Sequence, residues 1–465
     1  MKKSKYCYFF EEGDELIAYS ALCNEFEEFH INQKGKIDDI LKFPDEIITN
    51  NDNIIYKKLA DKLFIIPDYI DEYKQMVEMH RKTIYRQDKI MFTICPTMAC
   101  NLRCKYCYEA HAELSESTIS REVIDNIKKH IESKIEHLKE CTISWFGGEP
   151  LYCPEIIEEI STFCIDLCEK NKVQYTSGMT SNFALATKEV TSILTKSKIH
   201  NVQVTLDGYK ENHDLFRVTK NNKGTWDLLV KNILYYLNFD KSNSIILRVH
   251  FPNTANEIYL NNTLRDLQVF DKELRNRIGV YPHAVFSSCT DTWDNNDNST
   301  NKKKVETKVS SVVFNKLLEK FRKEVFQLGF QSNVFNIKPY NCEADLDYFW
   351  TVRPDGYLSK CTVALEKERA QAVINKTGIK ILNNKILDFH QKDHSMYLYK
   401  ECSECSYLLF CWRGCAYSLA EEKEHPKDIE RKCGIKHNNW MMERQIDNIR
   451  YKYLQQKRNL LNHEN

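Results

Sequence analysis

Three cysteines, Cys100, Cys104 and Cys107, stand in the run Cys95-Pro-Thr-Met-Ala-Cys-Asn-Leu-Arg-Cys-Lys-Tyr-Cys-Tyr-Glu109. A four-iron, four-sulfur cube takes one cysteine per iron. A tight C-x3-C-x2-C loop with no fourth cysteine therefore fills three corners and leaves one iron open to an outside ligand. A zinc site or a purely structural cluster loop is the alternative for so short a motif.

Gly147-Gly148-Glu149-Pro150 follows the apolar and aromatic run Cys141 to Phe146. That run predicts a buried strand ending in a turn, and two glycines there leave a bare backbone that can approach a ligand closely. Further on stand Thr180-Ser181-Asn182, Val202 to Gly208 with Thr205 inside it, His213-Asp214-Leu-Phe-Arg217, and Ile246-Leu-Arg248-Val-His250. Most of these read as strands with polar residues at or near their C-terminal ends, where barrel-type α/β folds gather active sites. The Asp207-Gly208 step by itself is an ordinary turn signal.

In this order the motifs resemble the radical S-adenosylmethionine (SAM) superfamily. The resemblance implies an α/β fold built on a partial, TIM-like (β/α)6 barrel, with a [4Fe-4S] cluster on Cys100, Cys104 and Cys107 and SAM chelated to its open iron. It implies SAM contacts from Tyr106, Gly147, Gly148, Glu149, Pro150, Asn182, Thr205, Arg217 and Arg248. Tyr106 would lay its ring over the cluster or the adenine, and the glycine motif would meet the SAM amino group. Thr205 stands where relatives often carry a serine beside the SAM carboxylate. Arg217 suits the same carboxylate through its guanidinium; a surface ion pair is the alternative.

A second constellation runs Cys342-x13-Gly356-x4-Cys361, then Cys402-x2-Cys405-x5-Cys411-x3-Cys415, then Cys433. It resembles the seven-cysteine SPASM pattern, and with the first triplet it uses ten of the chain's 18 cysteines. The resemblance implies two auxiliary [4Fe-4S] clusters, one on Cys342, Cys361 and Cys415 and the other on Cys402, Cys405, Cys411 and Cys433. A zinc ribbon is the alternative for the central four cysteines. The other eight cysteines show no ligand spacing and read mostly as small buried hydrophobes.

Composition agrees. Lys+Arg and Asp+Glu both number 66, so no global basic field points to nucleic acid. There is no signal-peptide pattern and no apolar run of membrane-spanning length. A cytoplasmic protein is expected, in which clustered cysteines read as metal ligands rather than disulfides. With 465 residues the chain has room for two or three domains.

Three parts are expected. Residues 1–88 carry a hairpin signature, Tyr6 to Phe10 and Leu16 to Tyr19 around Glu11-Glu-Gly-Asp14, then a strand near Phe26 to Ile31 and helices at Ile54 to Phe64 and Tyr69 to Arg86. This piece is similar to winged-helix-like peptide-recognition domains, which bind a leader peptide by strand addition; a structural extension is the alternative. Residues 89–310 alternate strand and helix patterns and form the barrel, with helices at Arg121 to Lys139, Glu155 to Lys170 and Leu228 to Leu237. Cys289 to Lys304 reads as a polar linker, and residues 311–465 form the cysteine-rich SPASM domain. Its tail carries Trp440, Met441, Ile446, Ile449 and Tyr453 at helical spacing, a core-contact stripe.

Within the family, the resemblance points to maturases that crosslink ribosomally made precursor peptides, most simply through a cysteine thioether. A 5′-deoxyadenosyl radical would abstract the hydrogen, and an outside donor such as flavodoxin or ferredoxin would supply electrons. Anaerobic sulfatase-maturating enzymes, which form formylglycine, are the runner-up. Those relatives carry an acidic residue after the second SPASM cysteine and an extra cysteine six residues after the first, where this chain has Thr362 and Tyr348. The non-enzyme alternative is a metal-bound scaffold.

Overall fold

The computed structural model describes residues 1–45, 54–107, 116–252, 254–284, 312–332, 337–363, 365, 367–382, 400–412 and 439–463. Cys415, Cys433 and the expected linker Cys289 to Lys304 lie outside the described residues. Two compact units form: Met1–Arg86 with Val334–Asp347 and Phe389–Asn465, and Gln87–Asn333 with Tyr348–Asp388. The stretch 311–465 is thus shared between them.

The first unit contains β1 (Lys2–Lys3), β2 (Cys7–Glu12), β3 (Glu15–Ser20), β4 (Glu25–His30) and β5 (Ile65–Ile66). β2, β3 and β4 make an antiparallel sheet in which Glu12 pairs with Glu15, leaving Gly13 and Asp14 as a two-residue loop. Gly13 takes φ +60, the left-handed value such loops demand. The expected hairpin and third strand therefore form, and helices Ile54–Asp61 and Glu72–Ile84 fall inside the expected runs. Helix Lys34–Lys42 was not anticipated. Its apolar face is only Ile37, Ile40 and Leu41, and Gly35 near its start weakens the pattern.

β3 is buried on both faces. Leu16 and Ala18 pack with Phe29, Ile37, Ile40 and Leu59, while Ile17 and Tyr19 share a core with Leu408, Leu409, Trp412, Ile449 and Tyr453. Ile446, Ile449 and Tyr453 of the tail stripe are therefore core contacts, made by helix Asn439–His463 against the N-terminal sheet; the side chains of Trp440 and Met441 lie outside the described residues.

The second unit is one sheet of β6 (Lys89–Ile94), β7 (Glu140–Trp145), β8 (Gln174–Ser181), β9 (Asn201–Leu206), β10 (Ser244–Phe251), β11 (Ile278–Ala284), β12 (Gln331–Ser332), β13 (Phe349–Val352), β14 (Tyr357–Ser359), β15 (Ala372–Asn375) and β16 (Gly378–Ile381). Its order is β12-β11-β10-β9-β8-β7-β6-β13-β14-β15-β16. From β12 to β13 every neighbour is parallel, and β13 to β16 are antiparallel. Helices Arg121–Lys134, Pro154–Asn171, Lys188–Lys196, Trp226–Phe239 and Glu257–Leu267 alternate with the strands, as crossovers between parallel strands require. The segment His213 to Arg217 is not a strand end: it closes helix Lys210–Phe216. Five residues of mixed polarity do not separate the two periods.

The two faces of this sheet differ in chemistry. Ile90, Phe92, Cys141, Ile143, Val202, Val204, Ile245 and Leu247 enter one core with Ile127, Ile157, Ile160 and Ile233 of the helices. The other face carries Met91, Thr142 and Thr176 in one row, then Thr93, Ser144 and Gly178, then Gln203 beside Thr180 and Thr205 beside Arg248 and Tyr281. Sheets of parallel strands are ordinarily apolar on both faces. A row of hydroxyls, amides and a guanidinium is the lining of a place for a polar ligand rather than a core. No helix among the described residues is long and apolar enough to cross a membrane.

Candidate active site

The cysteine loop leaves the end of β6 and is tied down along its length. Thr97 and Leu102 bridge to Thr118 and Thr219, Arg103 N donates to Val218 O (2.7 Å) and Lys105 N to Phe216 O (3.1 Å). Cys104 is buried and Cys100 and Cys107 are half-buried. Leu102 N and Asn182 Nδ2 both donate to Cys100 Sγ, at 3.5 and 3.6 Å, and hydrogen bonds to sulfur are a standard means of tuning cluster ligands. Burial first, then the Glu149 charge and the neighbouring Cys104 and Cys107, push the Cys100 thiol up to about 12. The Cys100 thiol stays protonated without a cation to stabilise its thiolate. The donor set fits an iron–sulfur cluster: three thiols on one fixed loop with N–H groups aimed at sulfur. Among the described residues no three His, Cys, Asp or Glu side chains gather as a single metal ion would need.

The glycine motif acts on this loop. Phe146 N, Gly148 N and Glu149 N donate to Ile94 O, Thr97 O and Ala99 O at 3.0, 3.1 and 2.9 Å. Gly147 takes φ +106, and a Cβ there would lie 2.5 Å from Thr97 O; at Gly148 it would lie 2.2 Å from Met98 O. The bare backbone thus admits the cysteine loop itself. Gly148→Ala is expected to cost about 3 kcal/mol by forcing the two backbones apart, read as a lowered melting temperature together with lost iron. An unchanged melting temperature would refute this.

Glu149 is fully buried, and its carboxylate accepts from Leu151 N (3.0 Å), Ser181 Oγ (2.7 Å) and Asn182 N (2.7 Å). Burial raises its pKa against those hydrogen bonds. Pro150, also buried, opens the short turn Pro150–Tyr152. Glu149 therefore braces the ends of β7 and β8, which sets Asn182 to donate to Asn101 Oδ1 (2.7 Å) as well as to Cys100. Phe183 next to it is held at φ +62, a conformation costly to a bulky residue and typical of functional sites.

A buried polar cluster that sequence reasoning missed lies at the ends of β9 and β10. Asp207 accepts from Tyr106 Oη at 2.7 and 2.8 Å and pairs with His250 Nδ1 at 2.9 Å. Arg217 Nη1 donates to Tyr106 Oη (2.9 Å). Tyr106 is thus anchored by its hydroxyl, with its ring edge-on to His250. Burial pushes the Asp207 carboxyl up, but the hydrogen bond from His250, with the Arg217 charge, holds it below its ordinary value. Burial keeps His250 low, so we read a neutral imidazole donating from Nδ1 to an ionised Asp207. Burial also opposes the Arg217 charge, yet Cys104, Tyr106 and Asp207 keep it fully charged. The available signal was the set of polar residues at strand ends; which strands adjoin was not written in it.

His213 supports this cluster. Its Nδ1 accepts from Asp207 N (3.3 Å), so its proton sits on Nε2 facing Thr225 Oγ1 (3.1 Å). Burial lowers its pKa to about 3. Unfolded, the imidazole binds a proton near 6.5; folded, it does so only near 3. Its contribution to stability is therefore present above about 6.5 and lost as pH falls from there towards about 3. Acidification below 6.5 is expected to cost about 1.4 kcal/mol per pH unit from this group, and His213→Gln should flatten that slope in thermal melts. An equal slope in the variant would show that His213 is not its source.

Thr205 and Arg248 are register partners on the polar face, and Arg248 Nη2 meets His283 Nε2 at 2.6 Å. Cys342 and Cys361 are half-buried, Cys342 at the head of the turn Glu343–Asp345 and Cys361 just after β14, with Val363 N donating to Cys361 Sγ at 3.4 Å. Gly356 takes φ +82 in the turn between β13 and β14. Cys402 and Cys411 lie on two short helical turns, Lys400–Glu404 and Leu408–Cys411, with Cys405 in the link between them, anchored by buried Leu408, Leu409 and Trp412. The Trp412 indole donates to Lys338 O (3.0 Å) and stacks on His80. Cys141, Cys164 and Cys168 are fully buried in the sheet–helix core.

Residues 94–267 match the radical SAM superfamily. A curated relative, the cysteine-type anaerobic sulfatase-maturating enzyme of Clostridium novyi (strain NT), is 30% identical over 165 residues. That match covers 34% of this chain and 43% of the relative, so the chain spans less than half the length of this relative. Among solved structures, native anSMEcpe with bound AdoMet and the Cp18Cys peptide aligns with a TM-score of 0.53 at 17% identity, over 79% of this chain and 99% of that one. Native anSMEcpe with bound AdoMet aligns with a TM-score of 0.52 at 18% identity, over 80% and 100%. At such identities the likeness is one of fold.

Proposed function

We propose that this chain is a radical SAM enzyme that matures a ribosomally made precursor peptide by installing an intramolecular crosslink, most simply a cysteine thioether. The observation that carries the reading is the pinned three-cysteine loop at the end of β6, held at the strand ends of a sheet whose second face is polar. A [4Fe-4S] cluster on Cys100, Cys104 and Cys107 with SAM on its open iron would supply one-electron cleavage of SAM and a carbon radical able to remove hydrogen from the peptide.

The chain's own residues supply position and dryness. Asn182 and the backbone of Leu102 donate to the Cys100 sulfur, and Gly147, Gly148 and Glu149 fix the loop's height over the sheet. Asp207, His250 and Arg217 hold Tyr106 by its hydroxyl. Thr205 and Arg217 are the proposed groups for the SAM carboxylate. The seven downstream cysteines would carry two auxiliary clusters that take the electron left on the substrate, and an outside flavodoxin- or ferredoxin-like donor would start the cycle. The sheet of β2, β3 and β4 is proposed to recognise the leader by strand addition, in a winged-helix-like arrangement.

A second reading, formylglycine formation, is favoured by the name of the Clostridium novyi relative; Thr362 and Tyr348 argue against it. Co-expression with a short cysteine-containing reading frame beside the gene, followed by mass spectrometry, separates the two. Loss of two hydrogens per crosslink supports the proposal. An aldehyde trapped by hydroxylamine moves the assignment to the sulfatase branch, and no 5′-deoxyadenosine under reducing anaerobic conditions would leave a metal-bound scaffold.

A further inference from the structure

We propose that Arg248 binds a carboxylate of the peptide substrate, so that the modified sequence carries an acidic residue near the site of chemistry; this rests on the peptide-maturase reading above. Buried arginines elsewhere in this unit are matched. Arg275 donates from Nε, Nη1 and Nη2 to Phe270 O, Leu328 O and Gln268 O, and Arg353 forms a two-point pair with Asp355. Arg217 is ringed by Cys104, Tyr106 and Asp207.

Arg248 is different. Its one hydrogen bond among the described residues runs from Nη2 to His283 Nε2. Because Nε2 must accept from a cation, His283 is the neutral tautomer and offers no counter-charge. The Arg248 Nε is buried and has no acceptor among the described residues. Asp207, the acid at the end of the neighbouring strand, already serves Tyr106 and His250. A half-buried guanidinium without a counter-ion is costly, and an incoming carboxylate is the ligand that removes that cost with charge-assisted hydrogen bonds.

Placement favours the peptide as the source. Asn182, Asp207 and His250 hold the cysteine loop at the strand ends, either directly or through Tyr106. Arg248 sits two residues further into β10 on the same face, opposite Thr205 and Tyr281. The Tyr281 hydroxyl donates to Gln203 Oε1 (3.0 Å), so the surrounding wall is polar and fixed. The carboxylate of SAM has the same chemistry and is the competing source.

The test uses the full chain with its clusters reconstituted, in anaerobic equilibrium dialysis. The probes are SAM, decarboxylated SAM, and two blocked pentapeptides that differ only in carrying glutamate or glutamine beside a cysteine. The wild type is expected to favour the glutamate peptide by about tenfold. Arg248→Gln should erase that preference, and Arg248→Lys should keep part of it. If Arg248→Gln instead weakens SAM but not decarboxylated SAM, and the peptide preference survives, the carboxylate is that of SAM and the proposal is overturned. Equal binding of both peptides by the wild type overturns it while leaving the maturase reading intact. Binding of SAM with no binding of either peptide removes the peptide reading and this inference with it.

Discussion

Cys104→Ala is expected to lower reductive SAM cleavage by at least about a hundredfold, a loss larger than changes around a metal's ligands usually cause. Cys104 is the buried member of the triplet, and the loop on either side of it is pinned by Arg103 and Lys105 to Val218 and Phe216. Neighbouring residues cannot slide a substitute donor into its place. A cube that takes one cysteine per iron is left with two ligands. The readout is 5′-deoxyadenosine formed anaerobically with dithionite. Cys141→Ala is the control, since Cys141 sits in the sheet–helix core and should cost stability but not SAM cleavage. A native cleavage rate in Cys104→Ala would end the radical assignment.

Cys405→Ala should show a different phenotype: iron falling from about twelve to about eight per chain, crosslinked product lost, and uncoupled 5′-deoxyadenosine still formed. Cys405 lies in the first unit, in the link between the turns Lys400–Glu404 and Leu408–Cys411, three residues before Leu408, which with Leu409 joins the core of Tyr8 and Tyr19. The SAM triplet lies in the second unit, which has its own core. Damage to one core need not unfold the other. If the wild type binds only about four irons at full activity, the auxiliary clusters are refuted. Zinc in place of iron would revive the ribbon.

The packing of the first unit changes how leader binding must be tested. Residues 1–88 read as a separable segment, but β2 and β3 share a core with Leu408, Leu409, Trp412, Ile449 and Tyr453. Deleting the segment would strip that core and disturb the cysteine turns. Proline substitutions on the outer strands, which remove single backbone donors, are the cleaner probe of strand addition. A folded variant with unchanged leader affinity would show that the sheet is structural.

Local chemistry was legible in the sequence. The triplet Cys100, Cys104 and Cys107, the glycine pair and the hairpin around Gly13 each depend on neighbours a few residues apart, because ligand spacing and turn geometry are short-range constraints. Strand and helix alternation followed from periodicity, and it failed where the window was short, at Lys34–Lys42 and at His213 to Arg217.

What depends on which strands adjoin was decided only in the tertiary structure. Glu149 appeared as part of a ligand motif, and the fold makes it a brace between β7 and β8. Asp207 read as a turn residue, and the pairing of β9 with β10 sets it against His250 and Tyr106, 43 and 101 residues away in the chain. Arg248 stands out because the sheet gives it His283 and no acid. A periodic pattern states which face a side chain takes; the register between strands states whom it meets there.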